Sequence, residues 1–141
     1  MRYLAIDLGG KRTGLAVGND TLRLAQPLEV LHTSNPPELL RQLATVIEDQ
    51  GPDALVVGLP LNMDGTLGPA AKQAQAFAGQ LRQSFHLPVY LFDERLTSYA
   101  ADQVMSGSGL THGQKKARRD ALAAAALLQD FLTAKTPDRK R

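Results

Sequence analysis

Hydrophobic residues occur in short runs along the chain, and the spacing within each run indicates a type of secondary structure. Alternation within the first 32 residues predicts three strands that pair antiparallel, the third within Ala25–His32. Pro27 in that strand predicts an edge position, because proline cannot donate a hydrogen bond to a neighbouring strand. The runs at 54–58 and 89–92 are wholly apolar, which is typical of parallel strands buried on both faces.

Apolar residues at helical spacing predict three long helices. The first begins at Asn35, a polar cap followed by two prolines, and ends at Gly51. The second spans about Gly68–Phe85 and the last about Gln114–Leu132, after a short helix and a mobile glycine-serine loop within 97–109. The predicted buried stripes are Leu39, Leu40, Leu43, Ala44 and Ile47; Ala70, Ala74, Phe77, Ala78, Leu81 and Phe85; and Ala117, Ala121, Ala124, Ala125, Leu128 and Phe131.

This order of elements predicts an α/β fold. We expect a five-stranded mixed sheet, with three antiparallel strands followed by two parallel strands, flanked by helices. A length of 141 residues and 43% hydrophobic residues suit one globular domain, which we place at residues 1–132. Residues 133–141 are predicted to form a disordered basic tail.

The amino-acid composition limits which cellular compartment and which kind of metal site are possible. Without cysteine, the chain has neither disulfides nor thiolate metal sites, so any metal must bind to oxygen or histidine. No apolar run approaches the roughly 18 residues of a membrane span, and the chain enters its first strand directly, without the organisation of a signal peptide. We therefore expect a cytoplasmic protein without a membrane partner.

Charge is unevenly distributed along the chain. Residues 1–110 contain eight Lys/Arg and eleven Asp/Glu, whereas residues 111–141 contain eight Lys/Arg and three Asp/Glu. The basic excess therefore lies on the last helix and the tail, which suggests a polyanionic partner. A basic segment that is merely solvated is the alternative.

An aspartate ends the first strand, at a position where a charge is costly to bury. Asp7 follows an apolar run and precedes Gly9 and Gly10, which allow a tight turn and leave the carboxylate accessible to a ligand. The alternative is a β-hairpin in which Asp7 only caps the turn.

Two further carboxylates are predicted to approach Asp7. Glu94 follows the last strand, and because parallel strands end at the same edge of a sheet, it should lie near Asp7. Asp120 borders the buried stripe of the last helix and can reach over that edge. Each has a simpler interpretation, Glu94 as a residue leading into a helix and Asp120 as a surface ion pair with Arg119.

Three converging carboxylates repel one another unless a divalent cation neutralises them. Oxygen ligands suit Mg²⁺ or Mn²⁺, and such ions support hydrolysis of phosphodiester bonds. The sequence thus predicts a metal-dependent nuclease with Asp7, Glu94 and Asp120 as catalytic residues and metal ligands. Cations near these acids and along the start of the last helix are predicted to bind phosphates: Lys11, Arg12, Arg95, Lys115, Lys116, Arg118 and Arg119.

The chain resembles the YqgF family, also called RuvX, of RNase H-like nucleases. The similarity spans residues 2–132 and lies in four motifs. They are Asp7-x-Gly9-x-x-Arg12-x-Gly14; Gly58-Leu59-Pro60-Leu61-Asn62-Met63-Asp64-Gly65 with Gly68-Pro69; Asp93-Glu94-Arg95-Leu96-Thr97-Ser98; and Asp120 with Ala124-Ala125 and Leu128-Gln129. Many RNase H-like enzymes have an acid at the end of the fourth strand, where this chain has Gly58, and the family shares that departure.

The resemblance implies an RNase H-like fold and a cytoplasmic bacterial nuclease that trims the 5′ end of the pre-16S rRNA. It also implies that Asp7, Glu94 and Asp120 form the acidic site, and it places Asn62 among the nucleic-acid-binding residues. The partner would be structured RNA or branched DNA, and the protein a monomer or homodimer.

Other functions remain open from the sequence. An older interpretation of the family is a Holliday junction resolvase that acts on branched DNA. A non-catalytic nucleic-acid-binding factor could retain the same fold. An actin-like sugar kinase or ATPase would share the motif from Asp7 to Gly14, but 141 residues leave no room for its second lobe.

Overall fold

The computed structural model describes residues 1–94 and 112–138, and within the latter range it describes the side chains of residues 120–134. The elements along the chain are β1 (Arg2–Asp7), β2 (Arg12–Asn19), β3 (Leu24–His32), α1 (Pro36–Gln50), β4 (Ala54–Leu59), α2 (Pro69–Phe85), β5 (Val89–Asp93) and α3 (His112–Asp138). The predicted short helix and glycine-serine loop lie outside the described residues.

The five strands form one mixed sheet in the order β3-β2-β1-β4-β5. β2 pairs antiparallel with both β1 and β3, whereas β1 pairs parallel with β4, and β4 with β5. The predicted α/β fold is therefore confirmed, including the edge position of the strand that contains Pro27. Because β1, β3, β4 and β5 all run in the same direction, they end at one side of the sheet, here called the carboxyl edge.

Helices cover both faces of the sheet. On one face, alternate residues of β1 such as Leu4 and Ile6 pack with residues of α1 and α2. On the other face, Tyr3 and Ala5 pack with α3. Residues 3–6 have no exposed surface, as expected for a central strand between two helical layers.

The first helix has the predicted ends. The side chain of Asn35 accepts a hydrogen bond from the backbone N–H of Glu38 at 3.0 Å, and Gly51 ends the helix in the left-handed conformation. Of its predicted stripe, Ala44 is exposed, and Val46 is buried instead. Val46 lies three residues after Leu43 and so shares its face, whereas Ala44 turns away from it.

The other two helices depart from the prediction near their ends. In the first turn of α2, Ala70 is exposed and Ala71 is buried. The last helix continues six residues beyond the predicted end at Leu132, to Asp138, so the first part of the expected tail is helical. None of the helices within the described residues is long and apolar enough to cross a membrane.

Glycines on β2 allow α3 to lie unusually close to the sheet. A Cβ atom on Gly14 would be 2.1 Å from the backbone oxygen of Asp120, and one on Gly18 would be 3.2 Å from a methyl carbon of Leu128. Any side chain at Gly14 would push the helix away. Because Gly14 has no side chain, the backbone of α3 at Asp120 can contact β2. Gly14 is the register partner of Asp7, so Asp120 lies near Asp7 at the end of the sheet.

Candidate active site

Asp7 lies at the carboxyl edge on the face covered by α3. It is the last residue of β1, whose preceding residues are fully buried, so its backbone is held rigidly. The turn that follows is compact, since a Cβ atom on Gly9 would be 2.2 Å from the backbone oxygen of Arg12. Asp7 is therefore a well-anchored carboxylate beside a turn that also presents Lys11, which is exposed.

Glu94 directly follows β5 and lies across the end of β4. A Cβ atom on Gly58 would be 2.6 Å from Glu94 Oε2 and 2.8 Å from both Cγ and Cδ. Because β4 separates β5 from β1, the space above Gly58 is what lets the Glu94 side chain reach towards Asp7. A side chain at Gly58 would occupy the same volume.

The two carboxyl groups are hydrogen-bonded to each other. Burial, followed by the negative charge of Asp7 and the hydrogen bond to it, raises the pKa of Glu94 to about 7. Burial, followed by the charge of Asp120, raises the pKa of Asp7 to about 6, against the opposing effect of its hydrogen bond with Glu94. Without a cation, the pair therefore holds a proton near neutral pH.

Asp120 contacts a cation instead of the two acids. Arg12 Nε donates a hydrogen bond to Asp120 Oδ2 at 2.7 Å, and both side chains are a little over a quarter exposed. This ion pair connects β2 to α3 across the turn that follows Asp7. It gives Asp120 a structural partner in Arg12, whereas the sequence suggested the adjacent Arg119, whose side chain lies outside the described ones.

Among the other predicted contacts with nucleic acid, the structure describes the side chain of Asn62. The side chain of Asn62, in the loop after β4, donates a hydrogen bond to Thr66 Oγ1 at 2.9 Å, and Gly68 lies directly against it. Arg95 lies outside the described residues. The backbone at 115–119 forms the beginning of α3, next to Asp120, and the side chains of the basic residues there are not among those described.

The donor set at this edge suits a hard divalent cation. Two buried carboxyl groups share a proton where a cation could replace it, and all available ligand atoms are oxygens. Within residues 1–94 and the described part of α3, no three acidic or histidine side chains are close enough to hold a metal together. Asp120 would complete the set if its carboxylate exchanged Arg12 for the metal.

The glycines that make room for Glu94 and Asp120 were not predicted as functional residues. In the sequence, Gly58 stands out only because an acid is common at that position in RNase H-like enzymes, and Gly14 only as part of a motif. A glycine that ends a buried strand is the signal that could have identified Gly58, because such glycines mark the close approach of another group.

Replacing Gly58 with alanine should weaken metal binding without unfolding the protein. The added methyl group would displace the Glu94 carboxyl group, and we expect roughly tenfold weaker Mn²⁺ affinity by calorimetry, in the range seen when groups supporting metal ligands are removed. The control is Gly79→Ala, where the new methyl group contacts nothing within 4 Å. Equal Mn²⁺ affinity in both variants would contradict this role of Gly58.

The raised pKa values predict an unusual pH dependence of stability in the metal-free protein. The folded protein favours the protonated form of both carboxyl groups. Their contribution to the free energy of unfolding is therefore fully present below about pH 4 and is lost as the pH rises through about 6 and 7. Glu94→Gln should remove the part of this loss that comes from Glu94, and so stabilise the protein by roughly 1–3 kcal/mol at pH 8 in EDTA. Urea unfolding across this pH range measures the effect, with Glu48→Gln on the exposed side of α1 as control. Parallel pH profiles for wild type and Glu94→Gln would contradict it.

Relatives with similar sequences extend over nearly the whole chain. A protein from Anaeromyxobacter sp. strain Fw109-5 is 42% identical over 132 residues, covering 94% of this chain and 96% of the relative. One from Chloroflexus aurantiacus strain J-10-fl is 39% identical over 138 residues, covering 98% and 90%. Both are provisionally named as pre-16S rRNA nucleases.

Solved structures with the same architecture include two resolvases. Thermus thermophilus RuvC superposes with a TM-score of 0.57 at 20% identity, covering 97% of each chain. Fowlpox virus resolvase in complex with Holliday junction DNA has a TM-score of 0.59 at 13% identity, covering 96% of this chain and 99% of the resolvase. These similarities confirm the predicted RNase H-like fold.

The family is identified by a match over most of the chain. A family model described as RuvX, Holliday junction resolvase, matches residues 1–134. Together with relatives that are about 40% identical over at least 90% of their length, this match confirms the resemblance seen in the motifs. The chain belongs to the RuvX family.

Proposed function

We propose that this protein is a metal-dependent nuclease that hydrolyses phosphodiester bonds in 5′-end processing of the pre-16S rRNA. The observation that carries the proposal is the half-buried, hydrogen-bonded pair of Asp7 and Glu94 at the carboxyl edge. Close carboxylates at such an edge are suited to divalent cations. The names of the relatives point to the pre-16S rRNA as the substrate.

The proposed cofactor is Mg²⁺ or Mn²⁺, held by Asp7, Glu94 and Asp120. A bound divalent ion would activate water and neutralise charge on the reacting phosphate. The chain supplies the rigid position of Asp7 on β1 and the reach of Glu94 over Gly58. Asp120 joins them when its ion pair with Arg12 opens.

Release of Asp120 would leave the Arg12 guanidinium beside the site, where it could bind a phosphate oxygen of the substrate. Lys11, exposed in the same turn, adds a second cation. The hydrolysis itself forms a bond between a water oxygen and phosphorus and breaks the bond between phosphorus and one sugar oxygen. The departing oxygen takes up a proton, and the other sugar remains attached to the phosphate.

The nucleic acid is proposed to extend from these cations along the start of α3. Lys115, Lys116, Arg118 and Arg119 belong to its first turns, and Arg95 follows Glu94 directly. Asn62 is proposed as a further contact from the loop after β4. We also propose that the protein works in the cytoplasm, where the rRNA precursor is made, as a monomer or homodimer.

Two other functions remain to be distinguished by experiment. The description of the family model and the fowlpox resolvase complex suggest cleavage of branched DNA. A non-catalytic binding factor is the third possibility, but the retained carboxyl pair gives it little support. The names of the relatives favour the rRNA precursor over branched DNA.

The proposed nuclease activity should be detectable with purified protein. The protein is incubated with one of three substrates: pre-16S rRNA fragments, unrelated single-stranded RNA or a four-way DNA junction. Each reaction contains Mg²⁺, Mn²⁺ or EDTA, and the products are resolved on gels. We expect cleavage of the rRNA precursor with metal only, and a loss of roughly 100-fold or more in Glu94→Gln and Asp120→Asn. Asp49→Asn, at an exposed position of α1, is the matched control.

The outcomes separate the three functions. Faster cleavage of the junction than of RNA would indicate a resolvase. Metal-independent binding with no cleavage of any substrate would indicate a binding factor. Cleavage by Asp120→Asn at the wild-type rate would leave Asp7 and Glu94 as the site.

Binding to nucleic acid should depend on salt through the basic start of α3. Replacing Lys115, Lys116, Arg118 and Arg119 with alanine should lower the slope of log affinity against log salt by about 1 for each phosphate that the protein no longer neutralises. Fluorescence anisotropy with labelled RNA over a KCl series measures the slope. Lys72→Ala, an exposed residue of α2, is the control, and an unchanged slope in the fourfold variant would mean that these cations are only solvated.

A further inference from the structure

A cavity opens at the carboxyl edge, on the face of the sheet opposite Asp7. It has a volume of about 300 Å³ and lies between the Gly9–Gly10 turn, the loop before α1 and the first half of α2. Leu8, Leu39 and Phe77 contribute apolar surface to it. This size is at the lower end of the range for small-molecule sites and would accommodate one aromatic heterocycle.

The position of the cavity follows from the strand order. Leu8 directly follows Asp7 and faces the opposite side, because successive residues of an extended chain alternate between faces. β3 runs in the same direction as β1, so the loop that follows it also lies at the carboxyl edge. The glycine turn after Asp7 is therefore shared by the acidic site and by this cavity.

The chemistry of the cavity suits a neutral ligand with hydrogen-bonding edges. None of the side chains that line it is charged, so it lacks the cations that a phosphate would require. Gln73 and Gln80 are among its lining residues, and neither side chain is hydrogen-bonded to another side chain within the described residues. Amide groups of this kind pair with the edges of nucleobases, and apolar surfaces stack against their faces.

The loop on the far side of the cavity is held in a fixed conformation. Thr33 Oγ1 accepts a hydrogen bond from the backbone N–H of Asn35 at 3.1 Å, and Asn35 Oδ1 caps α1. The glutamines lie on the regular helix α2, Gln73 one turn before Phe77 and Gln80 one turn after it. The cavity is therefore formed by anchored elements, which lowers the entropic cost of binding a ligand.

We propose that this cavity binds one unpaired nucleobase of the substrate strand, next to the phosphate held at the acidic site. The inference rests on the proposed nuclease function and adds to it a determinant of substrate choice. A base can enter only if it is unstacked, so the cavity selects single-stranded or flipped-out nucleotides at the cleavage site. Gln73 and Gln80 would determine which bases are preferred.

The binding step can be tested without any cleavage. Each of the four ribonucleosides is titrated into isotope-labelled protein, and the side-chain amide signals of the glutamines are followed by NMR. We expect saturable shifts of Gln73 and Gln80 but not of Gln75, which is exposed on the same helix outside the cavity. Ala76→Phe, which places a ring in the cavity from an exposed position on its rim, should abolish the shifts. No shift with any nucleoside, or equal shifts of Gln75, would overturn the proposal.

A second measurement relates the cavity to the substrate strand. In EDTA, the affinity of the protein is measured for a single-stranded rRNA fragment and for versions of it that each carry one abasic nucleotide. From one version to the next, the abasic position moves stepwise past the cleavage site. One abasic position should weaken binding to the wild type by roughly tenfold, the loss expected for one stacked base. That position should have no effect in Ala76→Phe, whose ring fills the cavity, whereas the control Gln75→Ala/Gln83→Ala should behave as wild type.

The two proposals fail in different ways. Nucleoside binding and a position-specific abasic effect, together with no cleavage in any metal, would refute the nuclease and keep the base site. Metal-dependent cleavage with uniform abasic effects and no nucleoside shifts would refute the base site and keep the nuclease.

Discussion

The repulsion between two carboxyl groups at one sheet edge determines how the rest of this structure must be built. Asp7 and Glu94 are hydrogen-bonded to each other in a half-buried setting, and burial is the main cause that raises the pKa of each towards neutrality. Such a pair costs stability unless a proton or a cation lies between its members. Its cost is offset by β1, whose residues 3–6 are completely buried between two helical layers.

Close approach at this edge is achieved by omitting side chains. Gly14 allows the backbone of α3 to touch β2, and Gly58 gives Glu94 the space above β4. The same edge then carries acids on one face of the sheet and an uncharged cavity on the other. A strand of nucleic acid lying over the edge would meet the acids on one face of the sheet and the uncharged cavity on the other.

Much of this arrangement follows from the sequence, because parallel strands must end together. That rule alone brought Asp7 and Glu94 to one place, and the proline in β3 identified the edge strand. The pairing of Arg12 with Asp120 could not be predicted, since nothing local in the sequence relates a residue of β2 to one 108 positions later. The cavity was missed for the same reason: Gln73 and Leu8 become neighbours only through tertiary packing.

The ion pair between Arg12 and Asp120 also has a consequence for synthesis of the chain. Its partners come from β2 and α3, so it can form only after α3 has emerged from the ribosome. Asp120 takes its place beside Asp7 at the same late moment, since α3 needs Gly14 already in the sheet to lie against it. Long-range contacts of this kind form late because they close the largest loops. A nascent chain whose α3 is still inside the ribosome therefore carries an incomplete acidic site.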